Sequence, residues 1–201
     1  SLAGAVDCAR RGERLALVSH RSVSIVSARQ RDLVRELRRT FPQVSLLHVP
    51  VWANKDKDLG REHTQRTRSL LFSALGTAVA VSAGADAVTF FENGVVSINL
   101  PIADEVIQAR ASRTTHPLAL QGFAKLATLI TGRALRIENP FIFDTKRDVV
   151  SRLAGDAARL IGLTCSCAHT GFFKSKTQWH CGTCSQCIDR RIALVDAGLT
   201  E

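Results

Sequence analysis

Three cysteines spaced two residues apart, Cys181-Gly-Thr-Cys184-Ser-Gln-Cys187, constrain this chain more than any other feature. A Cys-x2-Cys turn aims two thiolates at one point, and here a third follows at the same spacing. Zinc accepts four such ligands tetrahedrally, at about 2.3 Å each. The fourth ligand must come from outside the turn. The thiols nearby are Cys165 and Cys167, with thirteen residues between Cys167 and Cys181. Gly182 suits a tight knuckle because it tolerates positive φ. His169 and His180 are nitrogen donors that could replace a thiol. Four protein thiolates leave no open position for water, so the expected zinc is structural. Metal-free buried or redox-active thiols are the competing reading, but three so close together would be open to oxidation. An iron–sulfur cluster also takes four cysteines.

Five of the six cysteines lie between 165 and 187. Disulfides in a secreted protein staple distant loops, whereas a cluster at CxxC spacing points to metal in a reducing cytosol. The first residues do not read as a secretory signal, and no apolar run reaches the roughly 18 residues of a membrane span. A cytoplasmic location is therefore expected, with no membrane partner. The 201 residues fit one globular domain with a small appendage. The chain opens at Ser1 and contains no methionine, so a fragment with its natural start upstream is expected. The net charge of +9 fits a solvated basic surface, or an attraction for polyanions such as ATP or tRNA. The early arginines Arg29, Arg31, Arg35, Arg38 and Arg39 carry no interleaved aromatics that could stack on bases, so nucleic acid remains open as a partner.

Apolar β-branched runs alternate with amphipathic stretches. Helices are expected at Leu2 to Ala9, Ala28 to Thr40, Thr67 to Ala83 (capped by Gly84), Pro117 to Gly132, behind an N-cap in Asp144-Thr-Lys-Arg-Asp148 and on to about Leu160, and at Ile188 to Asp196. Strands are expected at Arg14 to Ser19, Val44 to Val51, Asp86 to Phe91 and Ala134 to Glu138. Strands joined by helical crossovers imply an α/β fold with a mostly parallel sheet covered on both faces. Trp52 and Trp179 read as packing residues.

Thr164-x-Ser-Cys167, a spacer, and Cys181-Gly-x-Cys184-x-x-Cys187-x-x-Arg190 resemble the C-terminal zinc motif of the 7-cyano-7-deazaguanine synthase family, part of the PP-loop ATP pyrophosphatase group. Arg68-Ser-Leu-Leu-Phe72, Gly84-Ala-Asp-Ala-Val88 and Thr145-Lys146 are similar to further segments of that family in the same order. Ser1-Leu-Ala-Gly-Ala-Val6 looks like the helix that follows the family's Ser-Gly-Gly-x-Asp-Ser phosphate loop. Ser1 would be the last residue of that loop, and the glycines that cradle phosphate would lie upstream. Ser19-His-Arg-Ser22, Ser69 and Glu92-Asn93-Gly94 depart from the family pattern and mark a divergent branch.

The resemblance implies a Rossmann-like, doubly wound, mostly parallel sheet. Its ATP-binding domain would span residues 1–160 and its zinc-binding segment residues 161–201. By this likeness the zinc ligands are Cys167, Cys181, Cys184 and Cys187. The implied reaction activates 7-carboxy-7-deazaguanine with ATP and magnesium, adds ammonia and dehydrates the amide to a nitrile. That is a C–N ligase of queuosine biosynthesis, with catalytic competence in doubt if the phosphate loop is missing. Ser1, Ser19, His20, Arg21, Asn93 and Gly94 are the expected nucleotide-binding residues. Arg68 and Lys146 are expected in catalysis, and Arg110, Arg113 and His116 at an anionic substrate. Two other readings stand beside it. One is a related adenylating enzyme of anti-phage defence with another substrate. The other is a non-catalytic zinc-ribbon module that binds nucleic acid or protein. A homodimer is left open.

Overall fold

The computed structural model describes residues 1–21, 24–53, 68–99, 115–169 and 179–200. Their order is α1 (Leu2–Arg10), β1 (Leu15–His20), α2 (Ser24–Thr40), β2 (Leu46–Val51), α3 (Arg68–Ala83), β3 (Ala87–Thr89), a π-helical turn (Val95–Asn99), α4 (Pro117–Thr131), β4 (Arg136–Glu138), α5 (Lys146–Ser151), a 3-10 helix (Gly155–Leu163) and α6 (Ser185–Asp196). Helices and strands alternate as the hydrophobic periodicity requires, and the fold is mixed α/β. The described strands form two two-stranded sheets, β1–β2 and β3–β4. The second pair is parallel, with Val88 opposite Ile137. The strands are shorter than the apolar runs. Asp86 and Phe90 nevertheless extend the second ladder, through Arg136 N to Asp86 O and Phe90 N to Glu138 O.

Two compact units divide the chain. The first comprises Ser1, Ala16–His20 and His48–Phe143, and the second Leu2–Leu15, Arg21–Leu47 and Asp144–Glu201. In the first unit α3 and α4 cover β3 and β4. Ala80, Leu120, Ala127, Leu135 and Ile137 form its buried cluster, with Val88, Phe90 and Phe123 against it. α3 approaches β3 at Gly76, where a Cβ would stand 2.6 Å from Val88 Cγ1. Gly84 sits at φ +70°, Gly84 N bonds Val81 O and Ala85 N bonds Ala80 O. Together these close the helix in a Schellman turn, as expected of a C-terminal glycine.

In the second unit Val6, Leu37, Ala157, Leu160 and Ile161 are buried almost completely, and α2 packs on the 3-10 helix. The N-cap expected within residues 144–148 is Thr145, in a capping box with Asp148, because Thr145 and Asp148 stand at the three-residue separation that such a box needs. Asp144 beside it accepts from Arg152 Nη2 at 2.8 Å. The expected helix to Leu160 stops at Ser151. Gly155 at φ +78° breaks the α path and restarts it as a 3-10 helix. Arg10 donates to the carbonyls of Arg152 and Ala154 at 2.6 and 2.7 Å, satisfying acceptors that the break leaves open. Trp52, expected to pack, is 63% exposed, while Trp179 lies under the Arg29 guanidinium at 3.4 Å. No described helix is long and apolar enough to cross a membrane.

Candidate metal centre

The cysteine turn folds as its residues demand. Gly182 takes φ +76°, a conformation that costs a residue with a Cβ. That turn brings the Cys184 amide to Cys181 Sγ at 3.3 Å. Cys184 is then the N-cap of α6, and its carbonyl accepts from the amides of Cys187 and Ile188. Cys187 therefore stands in the first helical turn, with its sulfur 3.9 Å from Cys181 Sγ. Tetrahedral bonds of about 2.3 Å put ligand sulfurs about 3.8 Å apart, so this pair already spans one edge of a zinc site.

Cys167 arrives from the other side. Its sulfur, those of Cys181 and Cys184, and a ring nitrogen of His169 all lie within 4.8 Å of one another. Cys167 Sγ also accepts from the His169 amide at 3.4 Å. Cys165, the alternative thiol, turns away and donates to Trp179 O at 3.2 Å. His180 is engaged by the Ser166 amide at 3.4 Å. Cys167 and Cys187 are buried, Cys181 and Cys184 half-buried, and His169 exposed.

The environment separates the thiols. Hydrogen bonds from Thr183, then His169 and backbone amides, hold Cys181 down to about 4. Backbone amides of Ala168 and Cys187 lower Cys184, and burial pushes Cys187 up to about 12. His169 is raised by its hydrogen bond to Cys181. Sulfurs gathered at one point fit a thiophilic cation such as zinc, which would bring the buried Cys187 to the thiolate as well.

Two further contacts brace the site. Arg190, 7% exposed on α6, donates to Thr164 Oγ1 at 2.6 Å and to Ile161 O at 2.8 Å. α5 packs on α6. Lys146 at the start of α5 is lowered by burial, an effect that the charge of Asp189 opposes.

The residues expected at nucleotide and substrate are distributed as follows. Ser19 and His20 end β1, where Ser19 Oγ meets His48 Nε2 at 2.9 Å and His20 Nε2 meets Ala53 O at 2.7 Å. Ser1 is exposed before α1, and Arg21 is exposed after β1. Arg68 opens α3 with its guanidinium 5.5 Å over Phe72. Asn93 Oδ1 takes the Val96 amide at 3.1 Å, so Asn93 and Gly94 lead into the π-helical turn. His116 caps α4, its Nδ1 accepting from Leu118 N at 3.2 Å. Ser1, Ser19, His20, Arg68, Asn93, Gly94 and His116 belong to the first unit, and Arg21 and Lys146 to the second. Arg110 and Arg113 lie outside the described residues.

Sequence reasoning does not find one polar network. Just past the parallel strands β3 and β4, Ser97 Oγ and Thr115 Oγ1 meet at 2.9 Å, both almost wholly buried. Thr115 donates to Glu92 Oε2 at 3.0 Å, and Asn139 Nδ2 reaches both Glu92 O and Ser97 Oγ at 2.8 Å. Thr115 and Asn139 also border a cavity of about 440 Å³ lined by Leu120, Ala124, Leu135 and Ile137. The network joins residues up to 47 positions apart, and nothing local in the sequence marks them as partners.

No curated protein sequence matches the chain. The family described as QueC, queuosine biosynthesis protein QueC, matches residues 54–198. The match covers more than half of the chain and includes all four cysteines of the expected zinc set. The chain belongs to the QueC family, the 7-cyano-7-deazaguanine synthases of queuosine biosynthesis.

Proposed function

We propose that this chain is an ATP-dependent synthase that adenylates the carboxylate of a deazaguanine-type substrate and converts it with ammonia to a nitrile. The family match over residues 54–198 carries the reading. The cluster of Cys167, Cys181, Cys184 and Cys187 supports it, as a structural zinc site that braces the C-terminal helix.

In this reading the α/β part is the Rossmann-like, doubly wound nucleotide-binding domain of the family. Open α/β sheets take ligands at the carboxyl ends of their strands. Ser19 and His20 stand at such an end of β1, and Ser19, His20, Arg21, Asn93 and Gly94 are assigned to ATP, with Ser1 at phosphate. Magnesium would neutralise the phosphates during transfer of the adenylyl group. Arg68 and Lys146 are assigned to charge stabilisation at phosphorus and at the acyl carbon, and Arg110, Arg113 and His116 to the anionic substrate. Lys146, half-buried at the start of α5, suits an acyl-adenylate better than a fully solvated lysine, because desolvation strengthens its attraction to an anion.

A second reading, an adenylating enzyme with another substrate, is favoured by Ser69. It stands where the family has Asn and is 5% exposed within α3, so the change alters the interior of that unit. A zinc-ribbon module without catalysis predicts little α/β structure, yet helices and strands run from Leu2 to Leu163 ahead of the cysteine turn. The test is exchange of labelled pyrophosphate into ATP. Exchange with 7-carboxy-7-deazaguanine supports the synthase. Exchange only with other carboxylates supports the second reading, and none with any carboxylate overturns both.

A further inference from the structure

The metal centre holds more donors than a tetrahedral ion can use. The sulfurs of Cys167, Cys181 and Cys184 and a nitrogen of His169 share one 4.8 Å neighbourhood, while Cys187 Sγ stands 3.9 Å from Cys181 Sγ. Three thiols are therefore common to two candidate tetrads. One is completed by the buried Cys187 and the other by the exposed His169.

The two completing donors differ in chemistry as well as place. A Cys187 thiolate inside the protein makes a four-sulfur site of net charge −2 with a divalent ion. Imidazole is a neutral ligand, common in zinc sites of the three-cysteine, one-histidine type, and would leave the charge at −1. His169 is also tied to the cluster by its own backbone, whose amide donates to Cys167 Sγ at 3.4 Å. Its ring nitrogen lies within 4.8 Å of the Cys167, Cys181 and Cys184 sulfurs. Cys165 and His180 are both committed elsewhere, to Trp179 O and the Ser166 amide.

We propose that His169 is an alternate fourth ligand: zinc rests on Cys167, Cys181, Cys184 and Cys187, and His169 takes the fourth position whenever the Cys187 sulfur is lost. In the exchange the zinc–Sγ bond to Cys187 breaks and a bond forms from zinc to a ring-nitrogen lone pair of neutral imidazole. The departing thiolate takes up one proton from water, and nothing is oxidised or reduced. His169, on the solvent side, also shields the opened face of the ion from outside ligands. The inference rests on the cluster being a zinc site, as proposed above.

Cobalt(II) replacing zinc reports the ligand set directly, because thiolate charge-transfer intensity and the d–d bands depend on the number of sulfurs. Wild type should bind one cobalt with a four-thiolate spectrum. Cys187→Ser should keep one cobalt with a three-thiolate, one-nitrogen spectrum, and adding His169→Ala should abolish or visibly change that spectrum. Identical spectra for Cys187→Ser with and without His169 would overturn the proposal. Absence of metal from the wild type would overturn the zinc reading itself.

A second measurement leaves every cysteine in place and so does not depend on the folding of Cys187→Ser. Zinc transfer to 4-(2-pyridylazo)resorcinol should be faster in His169→Ala than in wild type, since no ring nitrogen then takes the fourth position when the Cys187 sulfur dissociates. Equal transfer rates would contradict the role given to His169.

Discussion

Arg190 Nη1 donates to Thr164 Oγ1 at 2.6 Å, and its Nη2 reaches Ile161 O at 2.8 Å. The two residues bound the cysteine motif, Thr164 ahead of Cys167 and Arg190 after Cys187. One guanidinium therefore ties the end of the 3-10 helix to α6 and fixes both walls of the metal centre. Hydrogen bonds from a buried charged group are worth about 1.5–3 kcal/mol, and orphaned acceptors add to the loss. Arg190→Ala is expected to destabilise the protein by about 2–3 kcal/mol in urea titration and to weaken zinc retention. Arg190→Lys should recover part of the stability, since an ammonium cannot span both acceptors as the planar fork does.

Gly76 and Gly122 should respond in opposite directions to alanine. Both lie in helices, where Ala gains about 1 kcal/mol over Gly. At Gly76 the new Cβ would stand 2.6 Å from Val88 Cγ1, and valine is stiff at χ1, so overpacking of about 1–3 kcal/mol outweighs the gain. At Gly122 the Cβ meets nothing within 4 Å. Thermal unfolding should show Gly76→Ala less stable and Gly122→Ala more stable than wild type.

The start of α5 carries an acid-sensitive cap. Asp148 accepts from Thr145 Oγ1 at 2.6 Å and from Thr145 N at 2.9 Å, which holds its carboxyl below the usual carboxylate range. A carboxyl lowered in the folded state adds stability above its unfolded pKa, and that stability is lost as pH falls through the folded value. Asp148→Asn should therefore remove part of the stability at pH 7 and flatten the decline below about pH 4. Urea midpoints measured across pH 3 to 7 check both. Thr145→Ala, which removes the reciprocal bond, should cost about 1 kcal/mol.

The network past β3 and β4 should behave as a unit. Thr115→Val leaves Ser97 Oγ and Glu92 Oε2 each short of a partner, at about 1–3 kcal/mol. Ser97→Ala strips one more partner from the same chain. In the double variant both ends of the 2.9 Å contact are gone, so its cost should fall short of the summed single costs by at least about 0.5 kcal/mol. Additive costs would show that the hydroxyls are satisfied independently.

Much of this molecule is legible in its sequence, and the boundary between what is and what is not has physical causes. Cysteines at CxxC spacing point to a knuckle that could hold a metal, because a tight turn leaves their sulfurs few directions to point. Gly84 and Gly132 end α3 and α4 as their left-handed conformations predict. The break of the expected helix at Ser151 was hidden because Gly155 differs from a helical glycine only through its surroundings. The N-cap within residues 144–148 is legible too, because Thr145 and Asp148 stand at capping-box separation. Cys167 and Cys165 could not be separated by spacing alone, since either reaches the turn; in the fold Cys167 joins the cluster while Cys165 donates to Trp179 O. The Glu92, Ser97, Thr115 and Asn139 network depends on contacts between distant segments, which no local pattern encodes.

The most direct test is the zinc content of the purified protein, measured by elemental analysis beside its Cys184→Ser variant. One zinc per chain is predicted, with the variant losing the metal and melting at a lower temperature. A wild-type protein that folds with no zinc, or a variant whose melting temperature is unchanged, would contradict the four-sulfur centre that supports the functional reading.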